Sequence, residues 1–136
     1  MDCIFCKIAA GEIPSHKVYD DGLVMAFLDI APVNPGHVLV VPKEHFSSLL
    51  EMPDDLLCRL AQTARKIAPA VLEAVGAKDF NLSLNDGEAA GQVVKHFHWH
   101  LMPRFKGDGH ELWHGRAYGP GEAESLLAKI KENMPE

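Results

Sequence analysis

Three histidines at alternate positions, in His96-Phe97-His98-Trp99-His100-Leu101-Met102, concentrate more reactive chemistry than any other stretch of the chain. In an extended strand alternate side chains share a face, so the three imidazoles project together, roughly 7 Å apart along the strand. Phe97, Trp99 and Leu101 point the other way, toward a core. Imidazoles titrate near neutrality, bind metals, and act as nucleophiles or proton donors. With 8 histidines in 136 residues, such an alternation arises by chance in roughly 0.03 of shuffled chains. This strand is the candidate active site.

A second group is Cys3-Ile4-Phe5-Cys6, a Cys-x-x-Cys pair that suggests metal ligation or thiol redox work in an intracellular chain. With His45 and His96 it would complete a Cys₂His₂ zinc set, whose two thiolates cancel the metal's charge and permit burial. Spacing alone does not fix the distant histidines, and a pair of inert thiols near the terminus is the bland alternative. Cys58 falls in a helical pattern and is expected to be a small buried hydrophobe.

Three further sites could support the histidine strand. His37, in Asn34-Pro35-Gly36-His37-Val38, opens a strand after a tight turn; alone it reads as structural, beside the triple-histidine strand as supporting. Asp29 follows an apolar strand and either caps a turn or accepts hydrogen bonds from a ribose diol, with composition favouring the cap. In Asn85-Asp86-Gly87-Glu88-Ala89-Ala90-Gly91-Gln92, small residues would let backbone N–H groups approach a phosphate, as in anion nests, or would simply form a hairpin loop. Gly107-Asp108-Gly109-His110 reads as a turn, and His110, His114 and His16 show no partners.

The elements that must position these groups form an α+β pattern. The first ten residues read as a turn or short helix ending at Gly11. Strands are predicted at 17–20 and 24–28, separated by an Asp21-Gly22 turn, and at 37–41, closed by Pro42. A helical turn near Phe46 to Leu50 precedes a long helix opened by Asp54 or Asp55 and stopped by Gly76. Its apolar stripe includes Leu60, Ala61, Ala64, Ile67, Ala68 and Val71. Pro69 inside it predicts a kink, or a break into two helices. Strands at 80–85 and 96–103 and a helix at 123–134 complete an antiparallel meander sheet with one long helix and a short C-terminal one.

Composition narrows the function. The chain fits a single domain spanning 1–136. The net charge of −6, without a basic block, argues against a general nucleic-acid binder. No stretch approaches the roughly 20 apolar residues of a membrane span. The N-terminus lacks a secretory signal, so a cytoplasmic protein is expected.

The order Asp29, Gly36-His37-Val38, Asn85-Asp86-Gly87, Gly91-Gln92 and His96-Phe97-His98-Trp99-His100-Leu101-Met102 closely resembles the histidine triad (HIT) superfamily. Its signature is His-φ-His-φ-His-φ-φ, with φ hydrophobic, and every position conforms; the match runs from about residue 3 to 104. The resemblance implies an α+β homodimer acting at the α-phosphorus of a purine nucleotide. His98 would be the nucleophile, His100 the contact to phosphate oxygens, and His37 the family's supporting histidine. Asp29 would hold the ribose, Ile30 the base, and Asn85, Gly91, Gln92 and Val93 would approach the phosphate. A bacterial-type subgroup also implies structural zinc on Cys3, Cys6, His45 and His96, with no organic cofactor.

Two positions depart from the family pattern. Many members carry Ser or Thr where this chain has Val93, and the Trp-Pro-Pro-Gly type ending of the phosphoramidase branch is absent. The implied reaction releases a nucleoside monophosphate from a dinucleoside polyphosphate, with a nucleoside phosphoramidate as the alternative. A nucleotide-binding regulatory protein with vestigial turnover is a second class. A metalloenzyme with all three strand histidines on one metal is a third, and it would leave Cys3 and Cys6 unexplained.

Overall fold

A computed structural model describes residues 2–135. Five strands form one antiparallel sheet: β1 (Lys17–Asp20), β2 (Val24–Leu28), β3 (Val38–Pro42), β4 (Asp79–Leu84) and β5 (Trp99–Arg104). The α-helices are α1 (Ile4–Ala9), α2 (Asp54–Val75) and α3 (Glu122–Asn133). The spatial order β1-β2-β3-β5-β4 makes the first three strands a meander. The last two dock with β5 inward, which leaves β4 at an edge.

Side-chain alternation sorts the core into two layers. Val24, Ala26, Val38 and Val40 pack with Leu60, Ala64, Ile67 and Ala68 of α2, and Phe97 and Leu101 join them. Met25, Phe27, Leu39 and Val41 pack with Phe5 and Ile8 of α1 on the opposite face. Covered on both faces, β2 and β3 need apolar residues at nearly every position, and all five residues of β3 are buried.

Turn chemistry connects these layers. Asp21 Oδ1 accepts from the N–H groups of Leu23 and Val24 at 2.9 and 2.8 Å, which closes the β1–β2 hairpin around Gly22. Gly36 adopts φ +89°, and a Cβ there would lie 2.9 Å from Val75 Cγ1 and 3.1 Å from Pro103 Cγ. Only glycine fits both constraints. Acidic Asp54 and Asp55 occupy the first turn of α2, favourable against its dipole, and Gly76 ends it in the left-handed conformation.

Several local expectations are corrected. α2 runs unbroken through Pro69, which lies on its exposed side. Cys58 is exposed, not buried, and Ala61 also faces outward. Thr63 is buried instead, its Oγ1 donating to the Arg59 carbonyl at 2.8 Å. The histidine strand is shorter than its alternation implies: β5 starts at Trp99, leaving His96, Phe97 and His98 ahead of it. Among the described residues, no helix is long and apolar enough to cross a membrane.

Candidate active site

Alternation of faces survives although the strand does not extend over it. Phe97, Trp99 and Leu101 belong to the α2-side core. The Phe97 N–H donates to the Phe46 carbonyl at 2.6 Å, which anchors the segment outside the sheet ladder. His96 and His98 are buried on the α1 side, and Phe5 stands edge-on to both rings, at 5.8 and 5.1 Å between centroids. The three imidazoles then part company.

His96 turns toward the cysteines. Its Nε2–H donates to the Pro42 carbonyl at 2.7 Å, so its Nδ1 carries the lone pair. That Nδ1 lies 3.4 Å from Cys3 Sγ and 3.5 Å from Cys6 Sγ, and His45 Nδ1 lies 3.4 Å from Cys6 Sγ. The four ligand atoms fall within 4.8 Å of one another. Two thiols and two ring nitrogens in so small a volume could bind a metal, and the set suits tetrahedral N/S coordination. The distant histidine partners left open by spacing are therefore brought to the Cys pair by the fold. With His96 committed here, the strand histidines do not converge on one catalytic metal.

His98 and His100 stay together, 4.9 Å between ring centroids. His98 Nδ1–H donates to the His96 carbonyl at 2.7 Å, which leaves Nε2 as a bare lone pair. Burial lowers the His98 pKa, and this hydrogen bond and the Asp29 charge only partly oppose it. The ring is held neutral and nucleophilic at neutral pH. His100 is pushed further down, to about 4, by burial and then by the neighbouring His98 and His37.

His37 is also buried and sits against His100, with Nε2 2.9 Å from His100 Nδ1. The Val33 N–H donates to His37 Nδ1 at 3.0 Å, so the His37 proton resides on Nε2. Donation from there makes His100 Nδ1 an acceptor and puts the His100 proton on Nε2. His100 Nε2 is the one buried side-chain polar atom among the described residues without a hydrogen-bond partner. An orphaned N–H donor beside a bare imidazole lone pair awaits an acceptor from a ligand.

His98 and His100 both line a cavity of about 550 Å³. Its apolar wall includes Ile4, Phe5, Ile8, Ile13, Leu39 and Ile30, and its polar groups include Asp29, Asn85, His98 and His100. Of the behaviours anticipated for Asp29, the turn cap is formed. Its Oδ1 caps the turn through Ala31 N–H at 2.9 Å, while Oδ2 lies 3.6 Å from His37 Nε2 at the cavity. Gly91, at φ +93°, and Val93 also line the cavity; Val93 is 89% exposed and offers no hydroxyl. The Gln92 side chain accepts from Gly87 N–H at 2.8 Å and donates to the Ser47 carbonyl at 2.9 Å. It braces the loop and leaves only backbone to a ligand.

Phe5 and the α1 wall line the pocket without a sequence signal, because a residue between two metal-type cysteines gives no sign of facing a histidine 93 positions away. His110, expected to lack a partner, donates from Nε2–H to the Val33 carbonyl at 2.9 Å.

The model of the HIT domain matches residues 10–107. The chain belongs to the HIT family. An uncharacterized HIT-like protein of Methanocaldococcus jannaschii is 46% identical over 129 residues, covering 95% of this chain and 98% of that protein. The crystal structure of a HIT family member from Bacillus subtilis superposes with a TM-score of 0.91 at 38% identity, covering 100% and 99% of the two chains. HIT relatives with an activity in their names include Adenylylsulfatase HINT3 of Arabidopsis thaliana, 41% identical over 79% of this chain and 54% of that protein. Another is the adenosine 5′-monophosphoramidase hnt1 of Schizosaccharomyces pombe, 40% identical over 76% of this chain and 75% of its own. A zinc-bound histidine triad family protein from Mycobacterium smegmatis matches with a TM-score of 0.77 at 33% identity, over 98% and 99% of the chains. The HIT family includes nucleotide-binding hydrolases.

Proposed function

We propose that this HIT protein hydrolyses a purine nucleotide conjugate at the α-phosphorus through a covalent nucleotidyl-His98 intermediate and releases the nucleoside monophosphate. The observation that carries the reading is the pairing of a bare, neutral His98 Nε2 with the orphaned Nε2–H of His100 at one cavity. His98 Nε2 attacks phosphorus, and the bond to the leaving group breaks on the opposite side. The phosphorylated ring becomes an imidazolium, and its Nδ1–H shares the charge with the His96 carbonyl. Water then attacks phosphorus, the N–P bond breaks and returns the ring neutral, and the water's surplus proton passes to solvent. Splitting one displacement into two lowers each barrier. His100 donates to a non-bridging oxygen as charge develops, a preorganised donor worth about 10²–10³ in rate.

The binding roles follow the same cavity. Asp29 Oδ2 holds the ribose hydroxyls, and Ile30 with the α1 wall covers the purine. Asn85, Gly91 and the backbone at Gln92 and Val93 approach the phosphate. The leaving group is best an anion such as a polyphosphate, because Val93 supplies no hydroxyl to protonate an amine. The names of the Arabidopsis and fission-yeast relatives support an adenylyl moiety and include both an anionic and an amine leaving group. An amine therefore stands as the second reading.

Cys3, Cys6, His45 and His96 would hold structural zinc, which supplies a fixed anchor for α1 and takes no part in the displacement. No organic cofactor is invoked. The chain acts as one domain over 1–136, in the cytoplasm, without nucleic-acid or membrane partners. It works as a homodimer, for which the exposed edge strand β4, with Phe80 and Leu82 at 42% and 45% exposure, is the contact face.

The test is a panel of adenylylated and guanylylated donors: dinucleoside polyphosphates, nucleoside phosphoramidates and adenylyl sulfate. Release of monophosphate by the wild type, its loss in His98→Ala and retained monophosphate binding by that variant are expected. Full turnover by a folded His98→Ala would contradict the reading.

A further inference from the structure

We infer that Asp108, acting through Asn34 and assisted by His110, is a positioning residue that fixes the proton on His100 Nε2. The inference rests on the hydrolase reading for its consequence, though not for its geometry. The turn 107–110 lies outside the cavity chemistry described above, yet Asp108 within it collects five hydrogen bonds. Asp108 accepts from Arg104 Nε and Nη2 at 2.8 and 3.0 Å, from Phe105 N–H at 3.1 Å, from His110 N–H at 3.1 Å and from Asn34 Nδ2 at 2.9 Å. Its side chain is 7% exposed.

Asn34 is thereby held twice, since its amide also donates to the Pro103 carbonyl at 3.0 Å. Its own carbonyl accepts from His37 N–H at 3.1 Å. The neighbouring Val33 is held on its carbonyl by His110 Nε2–H at 2.9 Å, and its N–H is the group that donates to His37 Nδ1. A continuous set of bonds therefore runs from Asp108 and His110 through Asn34 and Val33 to His37, and on to His100. If Val33 N–H loses its aim, the proton on His37 is free to move to Nδ1. His37 Nε2 then accepts instead of donating, His100 flips to an Nδ1–H tautomer, and its Nε2 meets a phosphate oxygen lone pair to lone pair.

Asp108 itself anchors Arg104, so its removal risks folding; the test uses Asn34→Ala, His110→Phe and their double variant, with His110→Gln as the conservative replacement that keeps an N–H donor. Ring ¹⁵N–¹H NMR reads the tautomers of His37 and His100, and steady-state kinetics on the donor hydrolysed by wild type reads kcat and KM. The folded double variant is expected to show Nδ1-protonated His100, with kcat lowered at least about tenfold and KM changed less than about twofold. His110→Gln is expected to recover most of what His110→Phe loses. An unchanged His100 tautomer in the folded double variant overturns the inference. His110→Phe, which loses only an exposed bond, decides in the same way if the double variant does not fold. A wild type that hydrolyses no donor sinks the hydrolase reading alone, because the NMR signals still judge the positioning role.

Discussion

At the scale of single residues, the site depends on where three protons sit. Two backbone carbonyls and one backbone N–H determine this: His96 O for His98, Pro42 O for His96, and Val33 N–H for His37. The three buried imidazoles and the half-buried His100 are all held below their ordinary value of 6.5, and burial is the leading cause in each. A nucleophile must be unprotonated, so the acid limb of kcat/KM for a good donor is expected below pH 6.5, and a limb at or above that value would contradict the account. Stability carries the same sign. Between about 4 and 6.5 the unfolded chain binds a proton that folded His100 refuses, so stability falls as pH drops through that window and is unaffected above it. His100→Gln is expected to flatten this part of a Tm-versus-pH curve, and to lower kcat by about 10²–10³; an unchanged slope would oppose it. The His-φ-His-φ-His pattern made the candidate face and its neutral core side legible. The tautomers were not, since they depend on carbonyls and amides that only the folded chain supplies.

At the scale of elements, α1 and the loop before β3 are the parts with least margin. A six-residue helix cannot sustain itself in water, and only Phe5 and Ile8 of α1 are buried. A metal held by the Cys-His set beneath it would anchor the helix, and Phe5 stands edge-on to His98. The purified protein is expected to carry about one zinc per chain, and chelation or Cys6→Ser to lower Tm by on the order of 10 °C. A protein that binds no zinc, with an unaltered Tm in Cys6→Ser, would remove the anchor from the account. Gly36→Ala is expected to destabilise by more than about 1 kcal/mol, because a methyl at φ +89° would also press on Val75 and Pro103. Denaturant unfolding reads the loss, and a neutral result would contradict the packing argument. Local patterns predicted nearly every strand and the long helix. They did not reveal that β5 begins only at Trp99, because side-chain alternation continues where ladder hydrogen bonds stop. Nor did they show which side of α2 exposes Cys58, since a wide apolar stripe leaves its margins undetermined.

For the whole molecule, sheet order decides what remains open. Placing β5 between β3 and β4 sets the histidine segment centrally and leaves β4 as an edge, a surface that natural proteins cover or pair. Beside it lies an apolar hollow of about 380 Å³ between α2 and the sheet, lined by Ala64, Ala68, Leu72, Phe80, Leu82 and Trp99 among others. A homodimer formed there is expected in light scattering, with Leu82→Lys shifting it toward monomer; a monomeric wild type would contradict it. This face was not legible from sequence, because non-consecutive strand order depends on long-range pairing. The cysteine pair is legible in the sequence, and the resemblance names His45 and His96 as its partners; the fold brings the four ligand atoms within 4.8 Å of one another.

The most direct test of the account is rapid acid-free quenching of the wild type with an adenylylated donor, followed by mass spectrometry of the intact chain and its peptides. The account predicts one nucleotidyl group per chain, on His98, formed before monophosphate release and absent in His98→Ala. Steady monophosphate production with no adduct at any time, or an adduct on His96 or His100 instead, would contradict it.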